Sequence, residues 1–187
     1  LEMLRDDPSS ARIDRAVADL ADMNTLIAGY LELARSSRAE PAQALDLAAT
    51  LRHLAAEADC DWHGPAQCPA RAAPLAVKQI VANLVGNAQR YGAGSRVELA
   101  LTCTPHVLEI AVRDRGPGIP PDQLEKVFRP FYRVEASRAA QTGGTGLGLA
   151  LVRQLAAANG WQVTLANRDG GGLEARLILP RAARPRR

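Results

Sequence analysis

The stretch RAAQTGGTGLGLAL, Arg138–Leu151, holds four glycines within six residues and runs directly into an apolar segment. Glycine adopts backbone conformations that other residues avoid, and its missing side chain lets an anion approach backbone N–H groups closely. A helix that begins at about Leu147 would point its positive N-terminal end at the same place. The stretch therefore predicts a phosphate-binding loop.

This glycine pattern differs from two common nucleotide-binding loops. The dinucleotide fingerprint needs its glycines directly after a strand, and the P-loop needs Lys and then Ser or Thr after its last glycine. Here a polar segment that carries arginine precedes the glycines, and Gly148 is followed by Leu149 and Ala150. On this stretch alone, a flexible surface loop without a ligand stays open as the alternative.

Composition limits the class of protein. The chain has 187 residues, 47% of them hydrophobic, which suits one or two small domains with a packed core. Its net charge of +3 is concentrated in a C-terminal tail with four arginines, so the sequence predicts no nucleic-acid partner. Cys60, Cys68 and Cys103 are odd in number and widely spaced, which predicts neither a disulfide framework nor a zinc site and favours a reducing cytosol.

The N-terminal part predicts a helix over about residues 9–38. Its apolar positions alternate steps of three and four, as in a coiled-coil seam with one polar position. The seam consists of Val17, Leu20, Asn24, Ile27, Leu31 and Ala34. We interpret residues 1–40 as part of a dimer-forming helical hairpin and residues 41–44, which include Pro41, as a linker; an amphipathic helix packed on its own domain is the alternative.

A second predicted helix, residues 75–91, carries two amides on one line. Asn83, Asn87 and Arg90 lie at positions i, i+4 and i+7. A buried amide without a hydrogen-bond partner costs about 1–3 kcal/mol, so these side chains need something to bind. Amide oxygens suit a hydrated divalent cation held against phosphates, and Arg90 suits a phosphate.

A carboxylate ends the second of two predicted antiparallel strands, residues 96–102 and 107–114. Asp114 is followed by Arg115 and then by Gly116 and Gly118. A carboxylate beside glycines can accept a hydrogen bond from an exocyclic amine such as that of adenine. A simple Asp-Gly turn explains the residues equally well in isolation.

Together, four stretches resemble in order and spacing the motifs of sensor histidine kinases. NLVGNAQRYG (residues 83–92) resembles their N box and DRGPGIP (residues 114–120) their first glycine box. FRPFYR (residues 128–133) resembles their F box and GGTGLGL (residues 143–149) their second glycine box. Within that family the chain is most similar to the osmosensor (EnvZ-like) kinases.

The resemblance implies an α+β fold, an α/β sandwich of the histidine kinase, gyrase and MutL ATPase superfamily. Its mixed, mainly antiparallel sheet would be covered on one face by three helices. Residues 45–180 would form the ATP-binding catalytic domain, residues 1–40 part of the dimerisation and phosphotransfer hairpin, and residues 181–187 a basic tail.

Residue by residue, the resemblance also implies a site for ATP and Mg²⁺. Asn87 would be the principal magnesium ligand with Asn83 in support, Arg90 would contact phosphate, Tyr91 would pack near the base, and Asp114 would bind the adenine amine. The other implied positions are Gly116 and Gly118 in the pocket floor, Ile119 at the start of a lid, Arg133 and Arg138 as lid cations, and Gly144, Thr145, Gly146, Leu147 and Gly148 around the phosphates.

The implied reaction transfers the γ-phosphoryl group of ATP to a histidine and then to an aspartate of a response-regulator receiver domain. The resemblance further implies a homodimer through the hairpin and a membrane-anchored parent with this part in the cytoplasm. The family's phosphoacceptor motif, His-Glu/Asp-x-x-x-Pro, is absent, and His53, His63 and His106 lie in the wrong places to replace it. We therefore expect this chain to bind ATP without phosphorylating itself.

Three alternatives remain. A gyrase-like ATP-driven clamp would need a glutamate three or four residues before Asn87, where the sequence has Leu84 and Asn83. A non-enzymatic dimerisation scaffold with a vestigial pocket would not need the intact motifs. An anti-sigma serine kinase would share the pocket but lack the long dimerising helix.

Overall fold

The computed structural model describes residues 13, 17, 20, 23, 27–31, 38–134 and 145–181. The strands are β1 (Gln43–Asp46), β2 (Asp61–His63), β3 (Pro69–Ala72), β4 (Glu98–Cys103), β5 (Val107–Arg113), β6 (Gln162–Asn167) and β7 (Leu173–Pro180). The helices are α1 (Leu47–Glu57), α2 (Pro74–Tyr91) and α3 (Gly148–Ala158), with short 3-10 helices at Pro121–Gln123 and Lys126–Phe128. Residues 13, 17, 20, 23 and 27–31 are also helical.

Five strands form the main sheet, in the order β2-β4-β5-β7-β6. β2 and β4 are parallel, and the other three pairs are antiparallel. Because side chains alternate between the faces of a strand, Leu99, Ile110 and Leu177 all point to one side, where each is fully buried. α1, α2 and α3 contribute Leu51, Ile80 and Val152 to the same core. The predicted α+β fold, a mixed and mainly antiparallel sheet with three helices on one face, is confirmed.

The segment from residue 43 to residue 46 forms a strand, although the sequence predicted a linker over residues 41–44. β1 pairs with β3 in a separate two-stranded antiparallel sheet, with Leu45 opposite Ala70. Asp46 ends the strand and caps α1, because its Oδ1 accepts hydrogen bonds from the N–H groups of Cys68 (2.8 Å) and Ala48 (3.0 Å). The bond from Cys68 contributes most to a lowered pKa of Asp46, although partial burial acts in the opposite direction.

Cys68 and Cys103 form a disulfide, which corrects the prediction that the cysteines make no such bond. The two residues are 35 positions apart in the sequence, but their Cα atoms are 6.6 Å apart because the start of β3 lies beside the end of β4. Cysteine spacing alone does not report this kind of tertiary proximity. Cys60 is a free, buried thiol.

The predicted seam is only partly within the described residues. Four residues of the seam are helical and between 48% and 60% exposed, so none of the described segments covers them: Val17, Leu20, Ile27 and Leu31. Asn24, Ala34 and residues 1–6 lie outside the described residues. None of the described helices is both long and apolar enough to cross a membrane.

Candidate functional site

Asp114 follows β5 and is only 6% exposed. Its Oδ1 accepts hydrogen bonds from the backbone N–H groups of Gly116 (2.8 Å) and Leu173 (3.1 Å). Its Oδ2 receives no hydrogen bond from the described residues. Since no fully buried side-chain oxygen or nitrogen in this part of the chain lacks a partner, Oδ2 is not completely buried. One carboxylate oxygen is thus fixed by the protein, and the other can accept a bond from a ligand.

Two glycines after Asp114 are required by close contacts. A methyl group at Gly116 would lie 2.1 Å from the carbonyl oxygen of Tyr91, at the end of α2. Gly118 has a φ of +73°, and a methyl group there would lie 2.5 Å from Oδ1 of Asn167. The loop after β5 therefore packs against both the end of α2 and the end of β6, and only glycine permits that approach.

The two amides of α2 face the start of α3. The Nδ2 group of Asn83 donates to the carbonyl oxygen of Gln79 (2.9 Å), and a methyl group at Gly148 would lie 2.9 Å from Oδ1 of Asn83. The same methyl group would lie 3.9 Å from Nδ2 of Asn87, whose side chain makes no hydrogen bond to any described residue. The structure thus brings together Asn83, Asn87 and Gly148, which are separated by about 60 residues of sequence.

The N-terminus of α3 has no side-chain cap. Leu147 occupies the cap position and cannot accept a hydrogen bond through its side chain. The first N–H groups of a helix have no partner within the helix, and they carry its partial positive charge. These groups adjoin Asn83 and Asn87, so an anion bound there would gain both donors and charge.

Two residues of the predicted lid, which spans about residues 119–146, are hydrogen-bonded to each other. The N–H group of Phe131 donates to the carbonyl oxygen of Gly146 (3.0 Å), and both residues have positive φ angles, +64° and +71°. The F-box segment is also tied to α3, because the guanidinium of Arg153 lies 3.8 Å from the centre of the buried Phe128 ring. The F-box segment is therefore joined both to Gly146 and to α3, close to Gly148.

A cavity of about 260 Å³ adjoins the amides and the glycine box. It is lined by Ala28, Gly29, Asn83, Thr145, Leu147, Gly148 and Leu151. A larger groove of about 450 Å³ lies between α1 and α2, but no predicted site residue lines it. The smaller cavity is therefore the candidate site beside the glycine box, and Asp114 does not line it.

The remaining predicted site residues do not line the smaller cavity, except Thr145. Arg90 and Tyr91 are exposed at the C-terminal end of α2, and Arg133 lies two residues after Phe131. Thr145 precedes Gly146 and accepts a weak hydrogen bond from the N–H group of Leu147 (3.4 Å). Arg138 and Gly144 lie outside the described residues.

Sequence reasoning missed four supporting residues, all in or after β6. Asn167 holds Ile119 at both ends, accepting from its N–H (2.8 Å) and donating to its carbonyl oxygen (2.7 Å). Arg168 donates to the carbonyl oxygen of Asp114 (2.9 Å). Gly172 has a φ of +105°, and Leu173 supplies the second N–H to the Asp114 carboxylate. The run of glycines at residues 170–172 was the available signal, because glycines of this kind are typical of a turn.

A comparison with protein families supports the same interpretation of the fold and site. The model of the histidine kinase-, DNA gyrase B- and HSP90-like ATPases matches residues 72–183, which include α2, the glycine loops and the whole antiparallel part of the sheet. The chain belongs to this ATPase family. The family assignment confirms the resemblance drawn from the four motifs.

Among relatives of this ATPase domain, the sensor histidine kinase GtrS of Pseudomonas aeruginosa is 34% identical over 186 residues, which cover 97% of this chain and 37% of GtrS. The sensor histidine kinase CpxA of Escherichia coli is 37% identical over 117 residues, covering 62% of this chain and 25% of CpxA. The chain thus spans about a third or less of these two relatives.

Solved structures agree with the sequence comparisons. The histidine kinase domain of the Escherichia coli osmosensor EnvZ is 31% identical with a TM-score of 0.60, covering 80% of this chain and 95% of the EnvZ domain. Full-length ShkA in complex with AMPPNP is 25% identical with a TM-score of 0.71, covering 100% of this chain and 42% of ShkA. The chain therefore carries the ATP-binding domain typical of sensor histidine kinases.

Proposed function

We propose that this chain is the ATP-binding part of a sensor histidine kinase and that Asp114 recognises adenine. The observation that carries the proposal is that the two oxygens of the Asp114 carboxylate differ in their partners. Backbone N–H groups donate to Oδ1, whereas Oδ2 can accept a hydrogen bond from a ligand. The exocyclic amine of adenine is a donor that matches this acceptor, whereas the 6-oxo group of guanine or hypoxanthine is not. Tyr91 and the floor formed by Gly116 and Gly118 lie beside Asp114 and support the same ligand.

The donor set also fits magnesium bound together with phosphates. The described residues contain no cluster of three or more His, Cys, Asp or Glu side chains that could enclose a metal ion. Mg²⁺ usually keeps several waters and takes one or two protein ligands together with substrate phosphates. In our proposal Asn87 supplies the principal protein oxygen and Asn83 supports it; when bound, the ion neutralises charge on the phosphates.

The phosphates would lie at the uncapped start of α3. Its N–H groups and those around Thr145 and Gly146 can donate to phosphate oxygens. Arg90, Arg133 and Arg138 add positive charge from α2 and the lid. Phosphoryl transfer depends mainly on positioning and charge neutralisation, which are the contributions that these residues can make.

We propose the acceptor and the partners for the whole protein, by analogy with the sensor histidine kinases to which the chain is similar. The γ-phosphoryl group would pass to a histidine of the dimerisation hairpin and then to an aspartate of a response-regulator receiver domain. The parent protein would be anchored in the bacterial inner membrane with this part in the cytoplasm. The exposed apolar row at Val17, Leu20, Ile27 and Leu31 supports a homodimer through the hairpin.

A gyrase-like hydrolase is supported less well. Leu84, at one of the two positions where that class carries its glutamate, is 2% exposed and belongs to the core. Asn83, at the other position, is an amide that cannot act as a general base. The chain therefore lacks a carboxylate that could activate water at either position.

The decisive experiment is titration with a fluorescent ATP analogue, with and without Mg²⁺, of the wild type and of Asp114→Asn. The asparagine keeps an oxygen for the two internal N–H groups but presents its NH₂ group to the base. We expect ATP affinity to fall about ten- to hundredfold, since two donors then face each other. Affinity for inosine triphosphate, which offers an acceptor instead, should fall less or rise.

Asn87→Ala should remove the magnesium dependence of binding, whereas Asn159→Ala serves as its control. Asn159 ends α3 and donates to the carbonyl oxygen of Leu155, away from the predicted ligand contacts. Circular dichroism would establish that each variant is folded. If folded Asp114→Asn binds ATP as the wild type does, the adenine assignment is wrong; unchanged magnesium dependence in Asn87→Ala would rule out the metal assignment.

A further inference from the structure

The Cys68–Cys103 disulfide joins two layers of the domain at a point away from the nucleotide residues. Cys68 directly precedes β3 of the two-stranded sheet, and Cys103 ends β4 of the main sheet. Cys68 is 2% exposed, whereas Cys103 is only partly buried. A reagent in solution would therefore reach the Cys103 sulfur first.

Arg181 bridges the same two segments without a covalent bond. Its Nη2 donates to the carbonyl oxygen of Pro69 (3.1 Å), the residue after Cys68. Its Nη1 donates to the carbonyl oxygen of Thr104 (3.0 Å), the residue after Cys103. Its backbone N–H also donates to the carbonyl oxygen of His106 (2.8 Å), which fixes the start of the side chain. The arginine thus joins the residue after Cys68 to the residue after Cys103 by hydrogen bonds that do not need the disulfide.

The Cys68 side of the bridge also holds the start of α1. The N–H group of Cys68 donates to Asp46, and its carbonyl oxygen accepts from the N–H group of Leu47 (3.0 Å). A change in the position of Cys68 would therefore alter the hydrogen bonds at the start of α1 and at the end of β1. The strands β5, β6 and β7 make no such contact with Cys68 among the described residues.

The third cysteine, Cys60, does not react in place of Cys68 or Cys103. Cys60 is buried, and burial, reinforced by the charges of Asp59 and Asp61, raises its pKa. Thiolate is the reactive form of cysteine, so Cys60 reacts slowly with disulfides near neutral pH.

We propose that Cys68 and Cys103 form a reversible thiol–disulfide site and that Arg181 preorganises it by keeping the reduced thiols together. The oxidant is a small disulfide such as oxidised glutathione. The Cys103 thiolate attacks one glutathione sulfur and releases one glutathione thiolate; the Cys68 thiolate then attacks Cys103 in this mixed disulfide and releases the second. Two protein thiols are oxidised, one glutathione disulfide is reduced to two thiols, and the two protons pass to the released thiolates.

The test is equilibration of the chain in buffers with graded ratios of reduced to oxidised glutathione, followed by acid quenching, alkylation and intact mass. We expect a single two-thiol transition with little mixed disulfide, while Cys60 stays reduced. Arg181→Ala should lower the equilibrium constant for oxidation about five- to tenfold, since two hydrogen bonds from a charged group no longer hold the segments. Arg181→Lys keeps the charge but not the planar guanidinium, so its equilibrium constant for oxidation should lie between those of the wild type and Arg181→Ala.

Arg71→Ala is the matched control, since Arg71 also donates from β3 to a carbonyl oxygen, that of Ala42, away from the sulfurs. It should leave the equilibrium constant unchanged. Hydrogen exchange should show faster exchange on reduction in β1, β3 and the first turn of α1, and unchanged exchange in β5–β7. Accumulation of mixed disulfide in the wild type would contradict the proposal that Cys68 and Cys103 form a reversible disulfide. An unchanged equilibrium constant in folded Arg181→Ala would contradict the proposed role of Arg181.

Discussion

Glu174 is the buried carboxylate on the face of the main sheet that the helices do not cover. It lies in β7 between Arg113 of β5 and Arg176, and it accepts hydrogen bonds from both guanidinium groups. Burial alone would raise the pKa of Glu174, but the two arginines outweigh it, so the pKa lies below its usual value. The ionised form is therefore stabilised by folding, and this contribution is present at neutral pH and lost as the pH falls through the lowered pKa.

Glu174→Gln should reduce the stability by about 1–2 kcal/mol at pH 7, less than for a fully buried pair because Arg176 is 48% exposed. The loss should shrink as the pH falls toward the acidic range, where the wild-type carboxylate is itself protonated. Urea unfolding at several pH values measures both effects. Glu125→Gln is the control, because Glu125 pairs with Arg153 at the surface and is 81% exposed. Parallel pH profiles for the wild type and Glu174→Gln would contradict the assignment.

At the scale of the element, the start of α2 is capped by Glu40, a residue that precedes β1 in the sequence. Ala73, at the cap position, provides no side-chain acceptor, but the carboxylate of Glu40 accepts from the N–H groups of Leu75 (3.3 Å) and Ala76 (3.0 Å). A negative group at a helix N-terminus also interacts favourably with the helix dipole. The helix that carries Asn83 and Asn87 is thus joined at its start to the segment before β1.

Glu40→Ala should lower stability by about 1 kcal/mol, the usual effect of losing a helix cap. Glu40→Gln keeps the hydrogen-bond acceptor but not the charge, so it should lower the stability less than Glu40→Ala does. Trypsin should cleave after Arg38 faster in Glu40→Ala, since the segment before β1 is no longer held to α2. Glu57→Ala at the far end of α1 controls for loss of a surface glutamate and should change neither measurement. Unaltered cleavage in Glu40→Ala would show that the cap does not hold the segment before β1.

Sequence predicted the elements whose pattern is local. Three patterns each fall within one segment: the apolar stripe of α2, the alternation in β4 and β5, and the glycines before α3. Asn83, Asn87 and Gly148 could therefore be predicted as site residues from the sequence. The strand β1 was missed because four residues cannot show a period, and the disulfide was missed because sequence spacing does not report tertiary contacts. Leu173, which helps to orient Asp114, lies 59 residues after it and is brought there by the register of β5 with β7.

At the scale of the whole molecule, an apolar row remains uncovered. Ile13, Val17, Leu20, Met23, Ile27 and Leu31 follow one another at steps of three and four, and all are between 48% and 61% exposed. A contiguous exposed row of this kind is unusual on a monomer and is typical of an interaction surface. A second copy could cover it through the seam geometry that the spacing predicts.

Leu20→Asp should weaken self-association by roughly ten- to a hundredfold, from the loss of one buried leucine side chain per copy and the burial of a charge. Sedimentation velocity over a concentration series measures the change. Leu75→Asp is the control: Leu75 is also an exposed leucine, 68% accessible, but it lies on α2. A wild-type chain that stays monomeric at high concentration, or equal effects of both substitutions, would exclude the seam as the interface.

Gly29 sits where the N-terminal helix meets the phosphate end of the site, and a methyl group there would come within 2.9 Å of Leu147 Cδ1. Leu147 immediately precedes Gly148, and Ala28 and Gly29 form one wall of the cavity beside Asn83. The helix therefore cannot rotate or slide at this point without displacing Leu147 or changing the room beside the two amides. The helix forms part of the cavity wall, so in our proposal the space available to the terminal phosphate depends on the position of the helix.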